Sequence, residues 1–94
     1  MQIPDEFYEF CLYLHQDSFY VYGRELQDMA TGALRFVPKE KHAALRAFLD
    51  HLLTSNYSDE QLQEIYRGTD AEISFPRGLR YFLALTRDKI DQAA

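Results

Sequence analysis

The sequence predicts an all-α protein, folded as a compact single-domain antiparallel bundle of about four to five helices. Apolar residues recur at helical spacing in five segments, and no stretch alternates apolar and polar residues for long enough to form a convincing strand. Short connections between the segments favour antiparallel packing of neighbouring helices. A chain of 94 residues suffices for one small domain, so we expect residues 1 to 94 to form a single unit.

The first predicted helix begins at Pro4, whose fixed backbone angle suits the first helical position. Asp5 and Glu6 follow in the first turn, where negative charge is favourable against the helix dipole. Two stripes of large residues then occupy neighbouring faces: Phe7, Phe10, Cys11 and Leu14 on one, and Tyr8, Leu12 and His15 on the other. A helix that is apolar on two sides is either enclosed in the core or keeps one side for a partner.

The second and third helices are predicted from similar patterns. The second covers about residues 23 to 34 and directs four residues inward: Leu26, Met29, Ala30 and Ala33. Gly32 weakens this helix, and it either permits the close approach of a neighbour or marks the helix end. The third helix opens at Pro38 and has the clearest stripe, so we expect it to be central in the core: Leu45, Phe48, Leu49, Leu52 and Leu53.

The fourth helix has the most complete start signals, because Ser58 and Gln61 match a capping box while Tyr57 and Leu62 match a hydrophobic staple. We expect it to stop at Gly68 with a left-handed cap. After a loop through residues 69 to 72, the last predicted helix begins at the stretch SFP, residues 74 to 76. Its inward stripe consists of Leu79, Phe82, Leu83, Thr86 and Ile90, and three arginines lie off it: Arg77, Arg80 and Arg87.

The balance of acidic and basic residues indicates which classes of partner the chain can bind. Fifteen acidic and ten basic side chains give a formal net charge of −5. Such a chain repels phosphate backbones and attracts basic proteins, so we expect no nucleic-acid partner. A single cysteine fits a reducing compartment, and the acidic N-terminus has neither a basic flank nor a long apolar stretch. We therefore expect a cytoplasmic protein with no membrane partner.

The stretch YLHQD is the place where catalytic or metal chemistry would be sought first. His15 and Asp17 are two positions apart, about 200° on a helix, so they face one metal ion only if the helix ends between them. His42 and His51, nine residues apart, fall on opposite faces of the third helix. Cys11 is one turn before His15, but its apolar setting favours an inert thiol.

We accordingly expect no catalytic residue, no metal and no cofactor, since the chain also has no glycine-rich phosphate loop. Two roles remain open for the HQD residues. They could close the first helix and tie down the next turn, or they could belong to a recognition surface in which Asp17 adjoins aromatic side chains.

The chain resembles the small immunity proteins of bacterial contact-dependent growth inhibition systems. The resemblance extends from about Phe7 to Ile90 and is carried by FYEFCLYLHQDS, the Leu-rich third helix, SDEQLQEIY and GLRYFL. Its most specific element is YLHQD, in which His15, Gln16 and Asp17 are the family motif. Ser18 stands where tryptophan commonly follows in such proteins.

This resemblance implies a non-enzymatic cytoplasmic protein that binds the cytotoxic domain delivered by a neighbouring cell and blocks it. Toxin domains in these systems are often nucleases, whose grooves are basic, and a charge of −5 suits an inhibitor of such a groove. From charge and aromatic character we expect the contacts to come from eight residues: Asp17, Tyr20, Tyr22, Asp59, Glu60, Glu64, Asp70 and Glu72.

An alternative from another class is a structural or regulatory adaptor that forms a homodimer through the stripe of Tyr8 and Leu12 and has no toxin partner. For the inhibitor we expect a monomer or a weak homodimer. The two functions therefore differ in what covers this stripe.

Overall fold

The computed structural model describes residues 2–15, 22–23, 25–75 and 77–93. These residues form five α-helices: α1 (Asp5–Leu12), α2 (Leu26–Leu34), α3 (His42–Thr54), α4 (Asp59–Arg67) and α5 (Leu79–Ala93). A short 3-10 helix, Lys39–Lys41, leads into α3, and the described residues contain no strand. The radius of gyration is 12.1 Å, close to the value of about 12 Å expected for a compact domain of this length. The all-α, compact, five-helix prediction is confirmed.

The central element is α5, which packs against α2, α3 and α4, whereas α1 packs against α2 and α3. The predicted stripe of α5 is buried at all five positions. The third helix, expected to be central, also contributes to the core: Leu45, Leu49 and Leu52 are buried, whereas Phe48 and Leu53 remain half-buried at the edge of the α3 stripe. The inward stripe of α1 is buried as predicted, while Tyr8 and Leu12 face solvent with 38% and 51% of their surface exposed.

Three helices begin later than predicted: α3 starts at His42, after the 3-10 helix that follows Pro38, and α2 and α5 each start after a glycine with positive φ. Gly23 has φ of +119° and α2 starts only at Leu26; Gly78 has φ of +85° and α5 starts at Leu79. Such backbone angles cannot belong to a right-handed helix. Phe75 lies in the non-helical segment before α5, and Pro76 lies outside the described residues. The start predicted at residues 74 to 76 is therefore wrong.

The fourth helix begins as predicted. The Ser58 hydroxyl accepts a hydrogen bond from the Gln61 N–H at 3.1 Å, and the Gln61 side chain accepts one from the Ser58 N–H at 2.8 Å, which completes the capping box. The helix also ends at Gly68, but this residue has φ of −72° and not the predicted left-handed angle. A Cβ atom there would lie 3.3 Å from Ile3 Cδ1, a tight contact with the end of a flexible side chain.

Gly32 lies inside α2 and is buried. A Cβ atom at this position would lie 2.2 Å from Cγ of Tyr22, so only glycine leaves room for that ring. Of the two roles left open for Gly32, the structure supports close approach. Among the described helices, none has the length and apolar character needed to cross a membrane.

Candidate protein-interaction site

The expected contact residues fall in three places. Asp59, Glu60 and Glu64 belong to α4, Asp70 and Glu72 to the loop that follows it, and Tyr22 lies beside α2. Tyr13, Leu14 and His15 follow the end of α1, which stops at Leu12, so the described part of the YLHQD motif lies outside the helix. Gln16, Asp17 and Tyr20 lie outside the described residues.

Four of these carboxylates form an acidic strip, defined here as Glu60, Glu64, Asp70 and Glu72. Glu60 and Glu64 are one turn apart on the exposed side of α4, and all four residues are exposed. No ion pair joins Glu60, Glu64 or Asp70 to another residue in the described part of the chain. The strip covers about one turn of α4, roughly 6 Å, and continues along the chain into the following loop. Arg67, also exposed, places one cation between its two halves.

Asp59 differs from the strip because its carboxylate has a fixed partner. The Arg80 Nε donates to Asp59 Oδ1 at 3.0 Å, and a terminal nitrogen of the same guanidinium donates to the Tyr57 carbonyl at 2.7 Å. These contacts join the start of α4 to the start of α5. The Asp59 side chain is 84% exposed, so the ion pair itself contributes little stability.

The loop that carries Asp70 and Glu72 is held by hydrogen bonds with α4 and with Leu14, which follows α1. The Leu14 carbonyl accepts from the N–H groups of Glu72 and Ile73 at 2.8 and 3.2 Å. The Tyr66 hydroxyl, on α4, donates to the Ile73 carbonyl at 2.6 Å, and Gln63 donates to the Phe75 carbonyl. The structure thus brings the acidic loop next to the end of α1, where the YLHQD motif begins.

Tyr22 belongs to an aromatic cluster, defined here as Tyr13, Tyr22 and Phe36. The rings of Tyr13 and Phe36 stack with centroids 4.4 Å apart, and the Tyr22 ring lies 6.3 Å from that of Phe36. Burial raises the pKa of the Tyr22 phenol, and the neighbouring Tyr13 acts in the same direction. The Tyr22 ring therefore has a packing role against Gly32 in addition to any contact with a partner.

Phe36 was not among the predicted contact residues, although 51% of its surface is exposed. It lies between the end of α2 and the buried Val37, in a turn where the Phe36 N–H bonds to the Ala33 carbonyl at 3.2 Å. In the sequence, the only sign of its exposure is that this phenylalanine comes after the last inward residue of the α2 stripe. Exposed aromatic residues of this kind are typical anchors in protein interfaces.

The Cys11 thiol and two of the histidines have defined surroundings. Cys11 is fully buried, and burial raises the pKa of its thiol to about 12, although a hydrogen bond with Thr69 opposes this rise. Nε2 of His42 lies 2.9 Å from the Val37 carbonyl oxygen, and Nδ1 of His51 lies 3.1 Å from the Ser55 hydroxyl. Within the described ranges, no three His, Cys, Asp or Glu side chains are close enough to hold a metal ion.

The Cys11 setting predicts that iodoacetamide will not modify the folded protein at pH 8, because alkylation requires the thiolate. Modification should appear only as urea unfolds the chain, and mass spectrometry would follow it. Ser55→Cys provides the control, since position 55 is exposed and its introduced thiol should react at once. Equal rates at positions 11 and 55 in the folded protein would contradict this prediction.

Comparisons of the chain with protein-family models, with curated proteins and with solved structures gave no match of any of the three kinds.

Proposed function

We propose that this protein is an immunity protein of a contact-dependent growth inhibition system. It binds the cytotoxic C-terminal domain of the toxin in the cytoplasm and neutralises it by stoichiometric protein–protein inhibition, with no enzymatic activity of its own. The observation that supports the proposal most directly is the acidic strip, which is exposed and leaves three carboxylates without an ion pair to any described residue.

Ion pairs between the described elements leave the negative charge of this strip unbalanced. Four cations bind carboxylates of other elements: Lys41 with Glu9, Arg46 with Asp91, Arg80 with Asp59 and Arg87 with Asp50, at 2.7 to 3.0 Å. These contacts offset acidic charge at four positions outside the strip. A basic partner surface, such as the groove of a nuclease domain, would be drawn toward the strip, because an unbalanced charge steers diffusional encounter.

The anchoring of the loop also supports a binding role. Glu72 and Ile73 are fixed to Leu14, and Tyr66 holds the other side of the Ile73 peptide. A loop that is ordered before binding loses less conformational entropy when it meets its partner, so more of the contact energy appears as affinity. Half-exposed Phe36 supplies an aromatic anchor beside the end of α1, where apolar burial would slow dissociation.

The direct test is co-expression with the C-terminal domain of the large secreted protein encoded immediately upstream. We expect the two chains to purify as a 1:1 complex and the toxic activity of the domain to be lost in proportion to complex formed. A domain that stays fully active in the presence of excess protein would overturn the proposal, and so would a failure to form any complex at low salt.

A second candidate is the homodimeric adaptor, and the exposure of Tyr8 and Leu12 on one side of α1 favours it. Sedimentation of the isolated chain separates the two functions. The adaptor requires a stable dimer that Leu12→Glu disrupts, whereas the inhibitor is a monomer or weak dimer and binds the toxin domain equally well with Leu12→Glu.

A further inference from the structure

A second surface of the molecule has the opposite charge. An open groove of about 370 Å³ lies where the end of α2, the start of α3 and the last turns of α5 meet. Its apolar wall consists of Leu34, Ile90 and Ala93, and its polar residues include Arg35, His42 and Lys89. A hollow of about 320 Å³ adjoins it and shares His42, Ile90 and Ala93. Each of these two volumes is within the range of small-molecule sites, about 300 to 1,000 Å³.

Two cationic side chains line the groove, Arg35 and Lys89. No ion pair connects Arg35 or Lys89 with another residue of the described ranges. The nearby carboxylate of Asp91, which lines the adjoining hollow, is bound by Arg46 through contacts of 2.9 and 3.4 Å. The groove therefore keeps two positive charges in a chain whose net charge is −5.

His42 reduces the negative character of the groove wall. Its Nε2 lies 3.3 Å from the Leu34 carbonyl oxygen and 2.9 Å from that of Val37, so it acts as the donor to both. Carbonyl groups at the end of α2 would otherwise repel an anion. Arg35, at the C-cap of α2, also compensates the negative end of the helix dipole. That role alone would not require an apolar groove beside the cation.

We propose that this groove binds a small amphipathic anion. The apolar body of the ligand lies on Leu34, Ile90 and Ala93, and its carboxylate or phosphate head is bound by Arg35 and Lys89. A guanidinium matches either head because its donors form a planar fork, and the ammonium group adds a second charge-assisted hydrogen bond. This site is separate from the acidic strip and does not depend on toxin binding.

The test is an NMR titration of the ¹⁵N-labelled protein with decanoate, decyl phosphate and the uncharged decanol, each below its aggregation limit. We expect decanoate or decyl phosphate to shift the amide signals of Arg35, His42 and Lys89, and the comparison of the two identifies the preferred head. Decanol and inorganic phosphate should each bind at least ~10-fold more weakly, because each lacks one half of the recognised chemistry.

The double substitution Arg35→Gln/Lys89→Gln should weaken binding of the preferred anion at least ~10-fold. Arg67→Gln/Arg77→Gln is the matched control: it removes the same charge from exposed positions on α4 and before α5, and it should leave binding unchanged. Equal binding of decanol, shifts away from the groove, or equal losses in the two variants would each overturn the proposal. The ligand comparison on the unaltered protein decides the matter even if a variant folds poorly.

Discussion

Phe82→Ala is expected to lower the free energy of unfolding by about 3 to 5 kcal/mol, which is a large share of the stability of a small domain. Phe82 is completely buried on α5. Its ring stacks on that of Phe75 at 4.5 Å and on that of Phe10 at 6.0 Å. Truncation therefore removes contacts with α1, with the segment before α5 and with the core at once, and it leaves a cavity that the central helix cannot easily close.

Urea unfolding followed by far-UV circular dichroism would measure this effect. Tyr81→Ala is a matched control, because Tyr81 is the preceding residue of the same helix and 64% of its surface is exposed. We expect the control to change the unfolding free energy by about 0.5 kcal/mol or less. A similar cost for both substitutions would contradict the central position of α5 in the core.

The elements that could be predicted from sequence are those set by local interactions. The capping box at Ser58 and Gln61 fixes the start of α4 within four residues of chain, and the inward stripes follow from helical spacing. The start of α5 could not be predicted in this way. The segment before it is held by hydrogen bonds with Leu14, Gln63 and Tyr66, of which Leu14 is distant in sequence.

The candidate site also has some features that are set by local sequence and others that are set by contacts distant in sequence. Acidic residues of α4 and the next loop are visible in the sequence, and their exposure follows from the apolar stripe on the other side of the helix. The position of the loop beside the end of α1 depends on two backbone bonds to Leu14, which no local pattern indicates. Phe36 was missed for a similar reason, since its exposure is decided by the turn that buries Val37.

Reversal of charge on the acidic strip should slow toxin binding. For Glu60→Lys/Glu64→Lys we expect the association rate constant with the toxin domain to fall ~10-fold or more at low salt, because electrostatic steering contributes factors of that order. The difference from the unaltered protein should shrink as salt rises, since exposed charges are screened within about 10 Å at 0.1 M. Stopped-flow or surface-plasmon measurements at several salt concentrations would show both effects.

The control variant Glu25→Lys/Glu40→Lys distinguishes an effect of the acidic strip from an effect of the net charge of the protein. Both double variants change the formal charge from −5 to −1, since each Glu→Lys adds two charges, and all four residues are exposed. The helix-start costs are also comparable, because Glu60 lies in the first turn of α4 and Glu25 at the N-cap of α2. If the strip forms the docking face, the control keeps most of the association rate. Equal slowing in both variants would assign the attraction to net charge, and no slowing in either would remove the strip from the interface.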